Sequence, residues 1–343
     1  MKRLLKLLLI VAVLVIASGA YSVWQFNLWL HKPLALESEV ILQVERGSTI
    51  TKTLINLANQ GVVSYPKALL VYSKITKQTA IKQGEYRITP GMSWVDVNQM
   101  LISGNAIDHQ LTLIEGWRAA DALQALHDNP RVVRTLDSLL DPSLVNQLPA
   151  EHANPEGWFF ADTYHFRSGD TDLAILLRAY NKMQTTLQQL WQQRSAGLPY
   201  DSPYQALIMA SIVEKETGLA SERAQIAGVF VRRLQKNMRL QTDPTVIYGL
   251  GDSYQGNLTR AHLSQPTDYN TYMIRGLPPT PIALVGYESL AAAMQPAEGD
   301  ALYFVAKGDG SHQFSATLAE HNRAVRQYQI LNRRDDYQSA PKQ

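Results

Sequence analysis

The stretch Tyr204-Gln205-Ala206-Leu207-Ile208-Met209-Ala210-Ser211-Ile212-Val213-Glu214-Lys215-Glu216-Thr217 decides how the chain is read. Asp201 or Ser202 can cap it, and Pro203 suits a first helical turn. From Ala206 to Val213 only Ser211 is polar, and a helix apolar all round is a buried one. The stretch therefore predicts a core helix ending in two glutamates. They are two residues apart, about 200° around the helix, and cannot share a task. Behind Glu216, one and two turns back, lie Val213, Ile212, Met209 and Ile208; behind Glu214 lie Ser211, Ala210 and Leu207. Glu216 thus continues the bulkier apolar face. A carboxyl against such a wall is desolvated and its pKa rises, as a general acid working at neutral pH requires. The competing reading is a solvated glutamate paired with Lys215 or Arg223.

Working outward, the region before this helix is built from a repeated pattern. Leu42–Gly47, Tyr86–Gly91 and Leu111–Gly116 each alternate apolar and polar residues and then reach a glycine. After each glycine, apolar residues recur three and ten positions on: Ile50 and Leu57, Trp94 and Leu101, Ala119 and Leu126. Alternation followed by helical spacing predicts strand, turn, helix. Ser48 and Ser93 are the expected caps. Gly61-Val62-Val63 and a helix starting at Pro66 complete the first unit. This grammar resembles the βααβ LysM module, which grips N-acetylglucosamine chains, although strand-glycine-helix is also common α+β grammar.

The N-terminus sets the address. Lys2, Arg3 and Lys6 precede Leu7–Leu30, which carries no charge. As a helix this run reaches about 36 Å, enough to cross a hydrocarbon core of about 30 Å. The basic flank predicts an N-terminus inside the cytoplasmic (inner) membrane and the remaining chain outside it, with Trp24 and Trp29 at the outer interface. The alternative is a signal peptide cleaved after Ser18-Gly19-Ala20. The apolar residues that continue through Val23, Phe26, Leu28 and Leu30 favour an uncleaved, single-pass anchor.

Composition narrows the function. Thirty-two basic against 30 acidic residues give a net +2, which argues against a nucleic-acid partner. With 45% hydrophobic residues among 343 the chain can bury a core, and with no cysteine it has no disulfide, thiolate metal site or cysteine nucleophile. No His/Asp/Glu spacing suggests a metal and no glycine loop cradles phosphate, so no metal or cofactor is expected.

Six ordered blocks carry a more specific resemblance. They are Glu156-Gly157-Trp158-Phe159-Phe160-Ala161-Asp162-Thr163-Tyr164; Ala210–Thr217; Ala220-Ser221-Glu222-Arg223; Leu240-Gln241-Thr242-Asp243-Pro244 through Gly249; Tyr269-Asn270-Thr271-Tyr272 with Gly276-Leu277-Pro278-Pro279; and Leu302–Ala306 with Gly310 and His312. Together they resemble the YceG-like family of endolytic murein transglycosylases over essentially the whole chain. The Met209–Thr217 helix end is similar to that of lysozyme-like lytic transglycosylases. One departure is Ala161, where the family commonly has proline; a looser local turn is expected there.

The resemblance implies an α+β architecture: an anchor over 1–31, a LysM-like module over 38–108, a catalytic region with a lysozyme-like catalytic helix over 109–335, and a polar tail over 336–343. It implies cleavage of the bond between N-acetylmuramic acid (MurNAc) and N-acetylglucosamine (GlcNAc) in peptidoglycan without water as nucleophile. That reaction leaves 1,6-anhydro ends and terminates nascent strands. The implied partners are glycan strands, the membrane and peptidoglycan synthases. The family's acid maps onto Glu216, in agreement with the helix-face argument. Gln241, Asp243, Asn270 and Tyr272 are the candidates to bind sugar hydroxyl and acetamido groups, with Asp243 as a helix cap the alternative. Glu222 could orient the sugar or pair with Arg223 or Arg232. Tyr269 is read as structural or stacking, Asp162 as a turn residue, and His312 as structural beside the hairpin turn Gly308-Asp309-Gly310. Two rivals stand: a glycan-binding scaffold without catalysis, and a water-using muramidase with Glu222 or Asp243 as second carboxylate.

Overall fold

The computed structural model describes residues 2–150 and 154–331 and divides into two compact units. The first comprises residues up to His109 together with His165–Asp170. It opens with α1 (Lys2–Leu30), the one described helix long and apolar enough to cross a membrane. Then follow β1 (Val40–Val44), α2 (Ile50–Asn59), α3 (Pro66–Ile75), β2 (Gly84–Ile88) and α4 (Trp94–Ser103). β1 and β2 pair antiparallel with Leu42 opposite Tyr86. Alternation puts Leu42, Val44, Tyr86 and Ile88 on the buried face, against Leu54 and Leu57 of α2, Leu69 of α3 and Leu101 of α4. Leu30 is part of the same core, and Phe26 and Trp29 pack on it, so the last turn of α1 is integral to the unit.

The expected strand-glycine-helix grammar is present with one correction. Ser93 caps α4 in a reciprocal box with Asp96. At α2, however, the cap is Thr49, whose Oγ1 accepts from Lys52 N, not Ser48. Ser48 is instead held in the preceding turn, where its N–H donates to Glu45 O.

The second unit contains the rest of the described chain, with the division passing through β3 (His109–Thr112) and β4 (Thr163–Phe166). Its elements are α5 (Ala119–Asp128), α6 (Pro142–Val145), α7 (Asp172–Gln192), α8 (Pro203–Glu216), α9 (Ala220–Gln235), α10 (Asp243–Leu250), α11 (Arg260–Ser264), α12 (Tyr287–Met294), β5 (Tyr303–Ala306), β6 (His312–Ser315) and α13 (Leu318–Val325). α8 is the expected core helix: Ser202 caps it, Pro203 opens it, and Ala206 to Val213 are all buried. α7, α9, α10 and α12 surround it. Its one interior hydroxyl is satisfied, because Ser211 donates to Ile208 O and accepts from Ile282 N. α9 approaches the loop before β5 so closely that a Cβ at Gly228 would lie 2.4 Å from Ala297 O. β5 and β6 form the expected hairpin, and Asp309 accepts from Ser311 within the turn. Ala161 does not loosen its turn: its N–H donates to Val285 O at 3.0 Å, a bond proline could not make. The polar tail expected at 336–343 lies outside the described residues.

Candidate active site

The C-terminal end of α8 opens into a cleft of about 840 Å³ within the second unit. Glu216, the last residue of the helix, lines it together with Gln241, Asp243, Tyr272, Arg233 and Tyr248. Glu216 does not pair with Lys215 or Arg223. Lys215 Nζ donates to Gly116 O, and Arg223 pairs with Glu214. The Glu216 carboxyl instead accepts a hydrogen bond from the Thr242 hydroxyl. Burial pushes its pKa up to about 7; Asp243 adds to the rise, while Thr242 and the Arg233 guanidinium oppose it.

Thr242 is itself braced. Its N–H donates to Thr271 Oγ1, and its carbonyl accepts from Thr245 Oγ1. Arg233 is buried, donating from Nε to Leu302 O and from Nη1 to Leu240 O. Gln241 sits between these groups in the left-handed region (φ +52°), which a residue with a Cβ adopts rarely. Its N–H donates to Thr271 O, leaving the exposed side chain at the cleft. Asp243 is the first residue of α10 and does not cap it; Thr242 holds the cap position. The Asp243 carboxylate accepts from the Tyr272 hydroxyl at 2.7 Å.

Two expected contributors lie elsewhere. Asn270 is almost fully buried, and its Nδ2 donates to the carbonyls of His262, Leu263 and Gln265. Its Oδ1 accepts from Tyr272 N. With both ends committed to backbone it shapes the 262–272 loop and does not reach the cleft. Glu222 pairs with neither arginine: its two oxygens meet His312 N at 3.0 Å and His312 Nδ1 at 2.8 Å, tying α9 to β6. Tyr269 bonds Thr280. Asp162 pairs with Lys182 and accepts from Thr163 N.

Glu214, on the opposite side of α8 from Glu216, does not line the cleft. It is buried, with Oε1 3.4 Å from Arg223 Nη2 and Oε2 accepting from Gly286 N. Arg223 also reaches Glu115 at 3.5 Å, and its Nε has no hydrogen-bond partner among the described residues.

A second desolvated carboxyl flanks the cleft wall and was not anticipated. Glu156 follows the 151–153 segment and precedes Gly157, whose left-handed backbone (φ +80°) packs so tightly that a Cβ would lie 2.3 Å from Pro281 Cβ. The Glu156 carboxylate accepts from Ala119 N, the first residue of α5, and from the Tyr248 hydroxyl. Burial pushes its pKa up to about 7 against those bonds. Arg118 lies 5.4 Å over the Tyr248 ring, so Glu156 supports two cleft-lining groups. The signal was available: a glutamate followed by Gly-Trp-Phe-Phe-Ala invites the same desolvation argument as Glu216.

A profile of the YceG-like family matches residues 42–327. The chain belongs to the YceG-like family. An endolytic murein transglycosylase of Bacillus subtilis (strain 168) is 31% identical over 318 residues, 87% of this chain and 88% of that protein. One of Streptococcus pneumoniae serotype 2 (strain D39) is 24% identical over 91% of this chain, and the match spans 63% of that longer protein. A crystal structure of a YceG-like protein from Listeria monocytogenes superposes with a TM-score of 0.55 at 28% identity, covering 84% of this chain and 99% of that one. In this YceG-like chain the matched region includes every residue named in the cleft and, apart from Leu30, every buried residue of the first unit's core.

Proposed function

We propose that this chain is an endolytic lytic transglycosylase that cuts the MurNAc–GlcNAc bond of peptidoglycan and leaves a 1,6-anhydro end. The observation that carries the reading is the Glu216 carboxyl, desolvated at the end of a buried helix, facing a cleft and raised to about 7. The names of its relatives support it. In the first step Glu216 gives its proton to the glycosidic oxygen as the bond from that oxygen to C1 breaks. The substrate's own N-acetyl group holds the charge developing at C1. The carboxylate left behind is favoured by the Thr242 hydroxyl and the Arg233 guanidinium. It then takes the proton of the muramic acid 6-hydroxyl as that oxygen closes onto C1. A pKa near neutrality lets one group serve as acid and then as base. Gln241, Asp243 and Tyr272 are assigned to sugar hydroxyl and acetamido groups.

A water-using muramidase is the second reading, favoured by the negative charge of Asp243 close enough to raise Glu216. Mass spectrometry of products from purified glycan strands separates the two. Anhydro ends support the transglycosylase, reducing ends the muramidase, and uncut strands the scaffold.

The first unit is assigned to glycan binding on its β1-α2-α3-β2 order, and α1 to a single-pass anchor in the cytoplasmic membrane. The unbroken helix across Ser18–Ala20 and the burial of Leu30 support the anchor. Recovery of the intact N-terminus from membrane extracts tests it, and a chain beginning at Tyr21 overturns it. An enzyme held there meets strands as they are made, which fits strand termination beside the synthases.

A further inference from the structure

The first unit carries an apolar and basic face beside α1 that the transglycosylase reading does not use. On α3, Lys67, Val71, Lys74 and Ile75 recur at helical spacing on one side. Val71 is 56% and Ile75 76% exposed, unusual for β-branched apolar residues one turn apart on a helix whose other side is core. Two ring contacts set the slope of this helix. Phe26 of α1 meets Tyr72 at 6.3 Å, and Trp29 of α1 meets Tyr65 at 6.1 Å. Moving back from Trp29 to Phe26 descends about 4.5 Å along α1 toward its apolar middle, while the partner advances from Tyr65 to Tyr72, about 10.5 Å along α3. α3 therefore descends alongside α1 as it runs, and its C-terminal turn with Ile75 reaches the level of Phe26 or below.

With α1 read as an anchor, that level is the edge of the bilayer. Counting about 20 residues of hydrocarbon core from Lys6, the last charge on the inner side, ends at about Phe26. We propose that the Lys67–Val71–Lys74–Ile75 face of α3 rests on the outer leaflet of the bilayer that α1 spans. Val71 and Ile75 enter the boundary between headgroups and acyl chains, and the lysines meet lipid phosphates. Apolar residues flanked by lysines are the pattern of a helix that lies in an interface. The inference rests on α1 being an anchor, and its occupant is lipid because the face continues the surface of α1 at the height where lipid ends.

The chain has no cysteine, so single-site labelling of the full-length protein is clean. Val71→Cys, Ile75→Cys and Val13→Cys, each carrying an environment-sensitive fluorophore, are placed in nanodiscs of phosphatidylethanolamine and phosphatidylglycerol. Circular dichroism checks that each variant is folded. The expected result is that labels at 71 and 75 shift to the blue, are quenched by spin-labelled lipid and are shielded from iodide. If the label at 13 is quenched by lipid while those at 71 and 75 are quenched by iodide alone, the anchor stands and the surface proposal falls. If the label at 13 also misses the lipid, the anchor reading has failed and takes the proposal with it. If 71 and 75 become shielded only when soluble glycan strands are added, the face belongs to glycan and the proposal is overturned.

Discussion

Glu214 and Glu216 are separated by one residue and by opposite surroundings, and their substitutions should fail in different ways. Glu216→Gln keeps size and polarity but removes the transferable proton. General acid catalysis contributes typically 10²–10⁴-fold; on the proposed mechanism one group acts twice, so release of anhydro-ended fragments should fall by at least about 10³-fold while the protein stays folded. In the unaltered protein the first step needs Glu216 protonated. With its pKa at about 7, kcat/KM should fall roughly tenfold per unit as pH rises above that value; a profile flat to pH 9 would remove Glu216 from the acid role. Glu214→Ala strands Arg223, whose Nε already lacks a partner. Breaking a buried pair costs about 3–5 kcal/mol, and Glu115 as remaining acceptor places the loss toward the lower end. Urea unfolding should register it, with the activity of the folded fraction retained. Gln241, Asp243 and Tyr272 were legible as cleft residues from the polar and aromatic blocks that carry them. Asn270 and Glu222 were not, because a sequence shows that a side chain is polar without showing that backbone carbonyls or a histidine far along the chain have already engaged it.

Among the elements, α9 offers the sharpest test. Glycine inside a helix normally costs about 1 kcal/mol against alanine, so Gly228→Ala would be stabilising on propensity alone. Here the added methyl meets Ala297 O at 2.4 Å, and Ala297 N already donates to Ala224 O in the same helix. The carbonyl is fixed, and overpacking of this kind costs about 1–3 kcal/mol. A lowered Tm is expected; a raised one would mean that the loop yields. The pattern of α8 was readable because its faces are so nearly uniform in apolarity. Caps were less so: Ser48 and Thr49 both offer a hydroxyl, and only the backbone turn after Gly47 decides which one faces the helix start. The cleft wall was hidden for another reason. Arg118, Glu156 and Tyr248 come together through α5, the Gly157 turn and α10, and no local spacing records that convergence.

For the whole molecule, the two raised carboxyls set a pH dependence of stability. Glu156 and Glu216 move from 4.5 to about 7 on folding, so the native state holds more protons between those values. Their contribution is fully present below about 4.5 and is lost as pH rises through about 7. The Tm should therefore decline from about pH 5 to pH 8, and Glu156→Gln should flatten part of that decline; an unchanged slope would show that Glu156 titrates normally. The division into units has a consequence of its own. His165–Asp170 belongs to the first unit although the chain on both sides of it belongs to the second, so the backbone crosses the division three times. Gln43 bonds Ser168, and Asp108 meets His165, within that first unit. A protease nick near residue 110 would accordingly yield a split protein, in which the downstream fragment donates a short piece that the upstream fragment must release before the two diffuse apart. A pulling force that separates the two units would likewise meet three covalent strands, not a single linker.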